Sequence, residues 1–442
     1  GKMLDYTQLA WELETDYEAA IPFAIASLPE NSPAIDQLVK EIIEAENLCR
    51  ILTTVTPGHF KNAYFRLVKN LTSLVWHLYK AAKAGQNFYL RVSLANTTFS
   101  PPKYQNPHGI TRQWVQIARE LEASGLIEIA TGFYSRETGR GKQTRLRANP
   151  ELFSKLKELP DDIPEDGLAK PNLVIRDRKT KKPLPQAGFE DHPRVIKSSE
   201  TLAEYNELVH GTKIDFGFWH QGLLSFLGKE GIRRVIDPTM KHLHAVMLVD
   251  DENNLTYGRF HGPFWQILPS ALRENLHIDG QEIVELDYSA QSLNIVAGLA
   301  GVSLEGDPYS IDVPDCSLTP ADQRKLVKLA FCMMLNNPTK KAAFTALRGK
   351  KKTTDQFRGE KFSDGFLEDL YQKILSSYEF VQDWAFTDKG MTVFEEDAEV
   401  ARQIIAACTK EKIVVLPIHD GFIVQKRHEE YLRNLMNEVW SN

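Results

Sequence analysis

The chain of 442 residues carries 53 Lys and Arg against 59 Asp and Glu, a net charge of −6. Contact with nucleic acid must therefore come from local basic patches, and a uniformly basic scaffold is excluded. With 42% hydrophobic and 10% aromatic residues there is material for true cores, and at ~150 residues per domain there is room for about three of them. The longest apolar stretches, such as Ile21–Leu28, fall far short of the ~18 residues of a membrane helix, and no signal-peptide pattern opens the chain, so a cytoplasmic protein with no membrane partner is expected. Cys49, Cys316, Cys332 and Cys408 show no paired spacing, which predicts reduced thiols rather than a zinc site or a disulfide framework.

From Leu4 to about Thr53 and again over Asn62–Ala84 the apolar residues recur at helical spacing. A short apolar run, Phe88–Leu94, precedes a proline-rich loop and then Thr111, a candidate N-cap for an amphipathic helix to Ser124 with Gly125 at its end. Leu126–Thr131 and Gln143–Leu146 read as strands around the polar loop Arg136–Gly141. Helix, turn, helix and a two-stranded wing in that order predict a winged helix. Its wing carries Arg136, Arg140, Lys142, Arg145 and Arg147 against the single acid Glu137, which suits tracking of DNA phosphates, with Arg112 at the start of the preceding helix. Residues 1–155 are thus expected to be a helical and winged-helix nucleic-acid-binding domain. Residues 156–200, rich in Pro and charge, read as a linker or extended arm, and 201–442 as a second domain.

The C-terminal half presents two acids on strands. Glu282–Ser289 alternates like a strand and ends on an acid, with Gln291–Gly301 continuing as a helix. Ile413–Ile418 reads as a strand, His419-Asp420-Gly421 as a tight turn and Phe422–Gln425 as the returning strand. Asp287 and Asp420 on adjacent strands would hold two magnesium ions, or manganese in their place, about 4 Å apart, the geometry that activates a 3′-hydroxyl and steadies a leaving pyrophosphate. Between them a helix over Gln323–Asn336 places Arg324 and Lys328 four apart, on one face, where they would grip a triphosphate.

Asp287-Tyr288-Ser289 resembles motif A of the DNA polymerase I family, Arg324-x-x-x-Lys328 its motif B helix and His419-Asp420 its motif C, in the order also found in single-subunit phage RNA polymerases. Tyr257-Gly-Arg259-Phe, Leu268-Pro-Ser-Ala-Leu-Arg273 and Ile278-Asp-Gly280 are similar to the lead-in of polymerase-like proteins of phages and mobile elements. The resemblance covers about Tyr257–Trp440. It implies an α+β fold, a palm with an antiparallel sheet and small fingers. It also implies a template-directed nucleotidyltransferase, a DNA polymerase or primase-like enzyme. Nucleoside triphosphates would meet Tyr288, Ser289, Ser292, Asn336, His419, Arg259 and Arg273 besides the motif B cations, and DNA and other replication proteins would be the partners.

Three departures matter. Gly421 follows Asp420 where the DNA enzymes have Glu. Asn336-Asn337 stands where motif B ends in Tyr-Gly. Ser292 occupies the position of the glutamate that excludes a ribose 2′-hydroxyl, so tolerance of ribonucleotides is expected. The basic cluster after motif B, with Lys350, Lys351 and Lys352, is a candidate template contact. Glu395, Glu396 and Glu399 read as an acidic exposed face. The alternative function is a DNA-binding replication initiator or regulator of a mobile element with a non-catalytic palm. An HD-type phosphohydrolase is disfavoured because His419-Asp420 falls between strands.

Overall fold

The computed structural model describes residues 20–84, 89–137, 139, 141–216, 224–227, 233–288, 291–313, 316–357, 359–387, 389–419 and 421–441. The chain divides into two compact units. The first runs to Ile175 and takes in Lys182–His244 and His261–Ile283; the second comprises Arg176–Lys181, Ala245–Phe260 and Val284–Asn442. Helices and open sheets are mixed, as the α+β expectation requires.

In the first unit β1 (Ile21–Pro22) is followed by α1 (Pro33–Ala45) and α2 (Phe60–Ala84). Ser32 caps α1 by accepting from Ile35 N at 3.2 Å, with Pro33 at the first helical position. Then come β2 (Leu90–Val92), α3 (Gln113–Ala123), β3 (Ile127–Ala130), the ribbon β4 (Phe133–Tyr134) and β5 (Gly141–Lys142), β6 (Thr144–Ala148) and α4 (Pro150–Glu158). The sheet order is β1-β2-β6-β3, with β2, β6 and β3 antiparallel. Trp76, Trp114, Leu71, Ile117 and Leu146 meet in one core beneath it. Thr111 does not cap α3 with its own side chain. Its N–H and hydroxyl are both held by the Asn70 amide of α2, at 2.9 and 3.0 Å.

Residues 156–200 do not form an extended arm. β7 (Leu173–Asp177) lies in this stretch, and α5 (Pro193–His210) begins there, its Pro193 sitting at the helix start where a missing N–H costs nothing. β8 (Ile214–Asp215) and the pair β9 (Leu224–Leu227) and β10 (Arg233–Ile236) follow. A buried ionic cluster ties these later segments to α2: Lys80 Nζ lies 2.7 Å from Asp237 and 3.9 Å from Glu165, over the Trp76 ring at 4.6 Å, while Lys170 reaches Glu165 at 2.8 Å. Burial alone would strip the proton from Lys80, but the two carboxylates outweigh it and keep the ammonium charged.

β11 (His244–Val249) and β12 (Leu255–His261) contribute a hairpin to the second unit, β13 (His277–Ile278) pairs with β8 in the first, and β14 (Gln281–Asp287) leads from the first unit into the second. The expected breaks at 155 and 200 therefore do not coincide with the units, because the chain passes between them several times. The second unit continues with α6 (Gln291–Leu299), α7 (Pro320–Asn336), α8 (Lys340–Thr353), α9 (Asp364–Ser377) and α10 (Gly390–Lys410). It ends with the hairpin β15 (Leu416–Ile418) and β16 (Gly421–Gln425) and with α11 (Glu429–Ser441). α7 starts as a capped helix should, Thr319 Oγ1 accepting from Asp322 N with Pro320 next in line. Val296, Leu326, Phe331, Leu370 and Val393 form the core of its helices. Among the described residues no helix is long and apolar enough to cross a membrane, and the four cysteines are free.

Candidate active site

β14 reads Gln-Glu-Ile-Val-Glu-Leu-Asp and ends on the exposed Asp287. β16 runs beside it, with β15 on its other side. In the β15–β16 hairpin Ile418 pairs with Gly421, and His419 is the described residue between them. Asp420 lies outside the described residues, but it is bonded to Gly421, and Gly421 abuts β14. A Cβ on Gly421 would fall 2.5 Å from Leu286 O and 2.7 Å from Asp287 Oδ1. No side chain fits there, so glycine is what lets β16 start flush against the end of β14.

Arg259 of β12 organises the neighbourhood. Its Nη2 donates to His419 O at 3.1 Å and lies 3.7 Å from Asp397 of α10, and its guanidinium stacks 5.4 Å from the Phe394 ring. Gly258 just before it has φ +97°, and a Cβ there would sit 3.8 Å from Ala398. One helix, α10, thus contacts both the backbone and the side chain of the Gly-Arg pair. Asp397 also acts on Tyr288, whose phenol is raised above its ordinary pKa first by burial and then by that charge. Tyr288 donates to Met436 O at 2.5 Å and packs on Trp440 at 5.5 Å, anchoring α11.

The motif B residues are placed differently from one another. Arg324 is half-buried and held by Asp307, Nε at 2.5 Å and Nη2 at 3.2 Å, and these bonds lower the carboxyl's pKa. Lys328, one turn on, is exposed. Asn336 donates to Cys332 O at 2.9 Å and meets the start of α10, where a Cβ on Gly390 would collide with Asn336 Oδ1 and lie 2.9 Å from Leu335 O. In the following basic cluster Lys350 is exposed, Lys351 covers the Phe362 ring at 5.6 Å, and Lys340 pairs with Glu368 at 2.8 Å. Glu399, expected on an exposed acidic face, is turned to Arg402 at 2.7 and 2.9 Å.

The structure therefore brings Asp287, Gly421, His419 and Arg259 together. Arg273 belongs to the first unit, where it donates to Leu268 O at 2.9 Å. Ser289 and the side chains of Ser292 and Lys352 lie outside what the structure describes. Sequence reasoning passed over Asp397 and Asp307. Asp397 was hidden among the other acids of α10, and Asp307 lies in an irregular loop whose partner, Arg324, is seventeen positions away. Among the described residues no three His, Cys, Asp or Glu side chains form a metal-ligating group.

On the first unit, Arg136 is exposed, Lys142 half-buried and Arg112 exposed, donating to Leu94 O at 2.7 Å. Arg145 and Arg147 are 4% and 5% exposed. Arg145 donates to Gln143 O at 3.3 Å, and Arg147 stacks on Tyr89 at 5.1 Å and pairs with Glu128 at 3.1 Å. These two expected wing cations are embedded in the sheet, whereas Arg140 lies outside the described residues. No protein-family model matches the chain, and no curated protein matches its sequence.

Proposed function

We propose that the second unit is a metal-dependent, template-directed nucleotidyltransferase site, a DNA polymerase or primase-like centre, and that the winged-helix part of the first unit brings it to DNA. The observation that carries this reading is the seating of Asp287 against Gly421, the residue that follows Asp420 in the sequence. The donor set suits magnesium, a hard cation that takes one or two carboxylates and completes its shell with water and substrate phosphates. An exposed carboxylate at a strand end, with a second acid one peptide bond from its contact, is such a set. Asp287 and Asp420 would hold the ions, which when bound would lower the charge barrier to attack on a triphosphate.

The protein's own groups have separate tasks in this reading. Arg259 fixes the carbonyl of His419, the residue before Asp420. Lys328 offers an exposed cation to phosphate oxygens, and Arg324 does so by exchanging its bonds with Asp307. For the first unit, the strand order β2-β6-β3 with the β4–β5 ribbon between β3 and β6 supports the winged-helix reading, and its outward cations are Arg112, Arg136 and Lys142. Ser292 in place of glutamate favours acceptance of ribonucleotides.

The test is nucleotide incorporation on primed and unprimed templates, with deoxynucleotides and ribonucleotides in turn and with magnesium or manganese. Incorporation that disappears in Asp287→Asn supports the reading. No incorporation by the wild type, with duplex DNA still bound, would leave the replication-initiator alternative.

A further inference from the structure

The first unit contains a charge feature separate from the wing. No Asp or Glu stands between Glu46 and Glu120, whereas ten Lys and Arg do, in a chain whose acids outnumber its bases overall. Several of those cations are neutralised by acids from elsewhere: Arg50 by Glu120, Lys80 by Asp237 and Glu165, Lys83 by Asp161. Lys61, Arg66 and Lys69, in the first three turns of α2, have no carboxylate partner among the described residues. The first turn of α2 also contains no acid, so Lys61 adds to the positive end of the helix dipole instead of being offset by it. Positive potential is left on this end of the helix, and a polyanion is the complementary partner.

Aromatic rings share the same end. Phe65 is 61% exposed and Phe60 43%. Phe60 stacks on Tyr64, ring centroids 6.3 Å apart and 19° between planes, and Lys69 Nζ sits 5.4 Å from the Phe65 centroid. Large exposed rings beside unneutralised cations on a rigid helix form a stacking platform with an electrostatic track, the combination that holds unpaired bases. The position is fixed with respect to the winged helix, because Asn70, one residue after Lys69, clamps Thr111 and donates to Gln113 at the start of α3 at 3.2 Å.

We infer that the N-terminal turns of α2 bind single-stranded nucleic acid, Phe65 and Phe60 stacking on unpaired bases while Lys61, Arg66 and Lys69 follow the phosphates. A duplex presents no free base faces and gains little from the rings. The inference concerns binding alone, so a chain without polymerase activity would leave it intact, and a polymerase without this platform would refute it.

The experiment is fluorescence anisotropy of a labelled oligothymidylate and of a labelled duplex with the full chain over a series of salt concentrations. Phe65→Ala should weaken oligothymidylate binding roughly ten-fold without changing its salt slope, because a ring releases no counterions. Phe65→Trp should retain or tighten it, and duplex affinity should hold in both. Arg66→Gln with Lys69→Gln should lower the single-strand slope by about 1.4, at ~0.7 per phosphate contact. An oligothymidylate affinity untouched by Phe65→Ala would overturn the inference. So would an equal loss from duplex, or a loss of self-association by sedimentation with nucleic-acid binding unchanged, which would assign the rings to a second copy of the chain.

Discussion

Asp287 and Gly421 are packed so closely that a single methyl on the glycine would lie 2.7 Å from the aspartate Oδ1 and 3.2 Å from its Cα. Two variants therefore probe the same point. Asp287→Asn keeps the shape and removes the charge, and incorporation should fall to background with folding unchanged. Gly421→Ala keeps the charge and forces the strands apart; incorporation should fall by at least about ten-fold, with some loss of stability of the order of 1–3 kcal/mol from overpacking. Circular dichroism and primer extension on the same preparations separate the effects. A fully active Gly421→Ala would show that Asp287 works without the contact that defines its position.

Arg259 joins three elements with one guanidinium, and that requires its fork geometry as well as its charge. Arg259→Lys retains the cation but loses the simultaneous approach to His419 O and Asp397. It should reduce kcat nearly as much as Arg259→Gln while leaving the KM for the incoming nucleotide close to wild type, the pattern of a positioning residue. A selective rise in KM with kcat preserved would instead mean that Arg259 binds the triphosphate directly.

The sequence made some of this site legible because its signals are local. The stretch from Gln323 to Asn336 announces α7, although the helix starts three residues earlier, at Pro320, under the Thr319 cap, and alternation announces β14 with Asp287 at its end. The pairing of Ile418 with Gly421 follows from the flanking apolar runs. Long-range partners leave no such trace. Arg324 looks like a free cation on a helix face until Asp307 folds back onto it. Arg145 and Arg147 look like wing cations because Thr-Arg-Leu-Arg-Ala alternates, yet all five residues of β6 are buried. Tyr89 from β2's approach and Glu128 from β3 supply the stacking and charge that make the interior tolerable for Arg147. The prolines of 156–200 likewise signal breaks, and only tertiary packing decides whether a break starts an arm or a helix.

That burial changes what these arginines are expected to do. Arg136→Gln with Lys142→Gln should weaken duplex binding and reduce its salt slope by about 1.8, at ~0.9 per phosphate contact on duplex DNA. Arg145→Gln should instead lower the unfolding midpoint and leave the slope of the folded fraction alone. Salt titrations and thermal melts on the three proteins check this. A reduced slope with an unchanged melt for Arg145→Gln would place that guanidinium on the DNA after all.

His77, in the middle of α2, uses both ring nitrogens in the neutral form: Nδ1 donates to Ser73 O at 2.6 Å, and Nε2 accepts from Ala24 N at 3.1 Å. Protonation would put a donor against a donor inside the core. Burial, reinforced by the Lys80 charge, lowers its pKa from 6.5 to about 3, and burial lowers His242, bonded to Pro171 O at 3.0 Å, to about 4. The unfolded chain binds both protons near pH 6.5 and the folded chain refuses them. The stability these rings contribute is therefore complete above pH 6.5 and is lost as the pH falls toward the folded values. Between about pH 5.5 and 4.5 the slope from the pair should approach ~2.7 kcal/mol per pH unit. The lowered pKa values of Glu165 and Asp237 put their own loss of stability, of the same sign, further into acid. Urea unfolding of the wild type, His77→Gln and His242→Gln at pH 7, 5.5 and 4.5 measures this directly. Each substitution should remove about half of the slope in that window, and an unaltered slope in the double variant would mean that acid weakens the fold through its carboxylates instead.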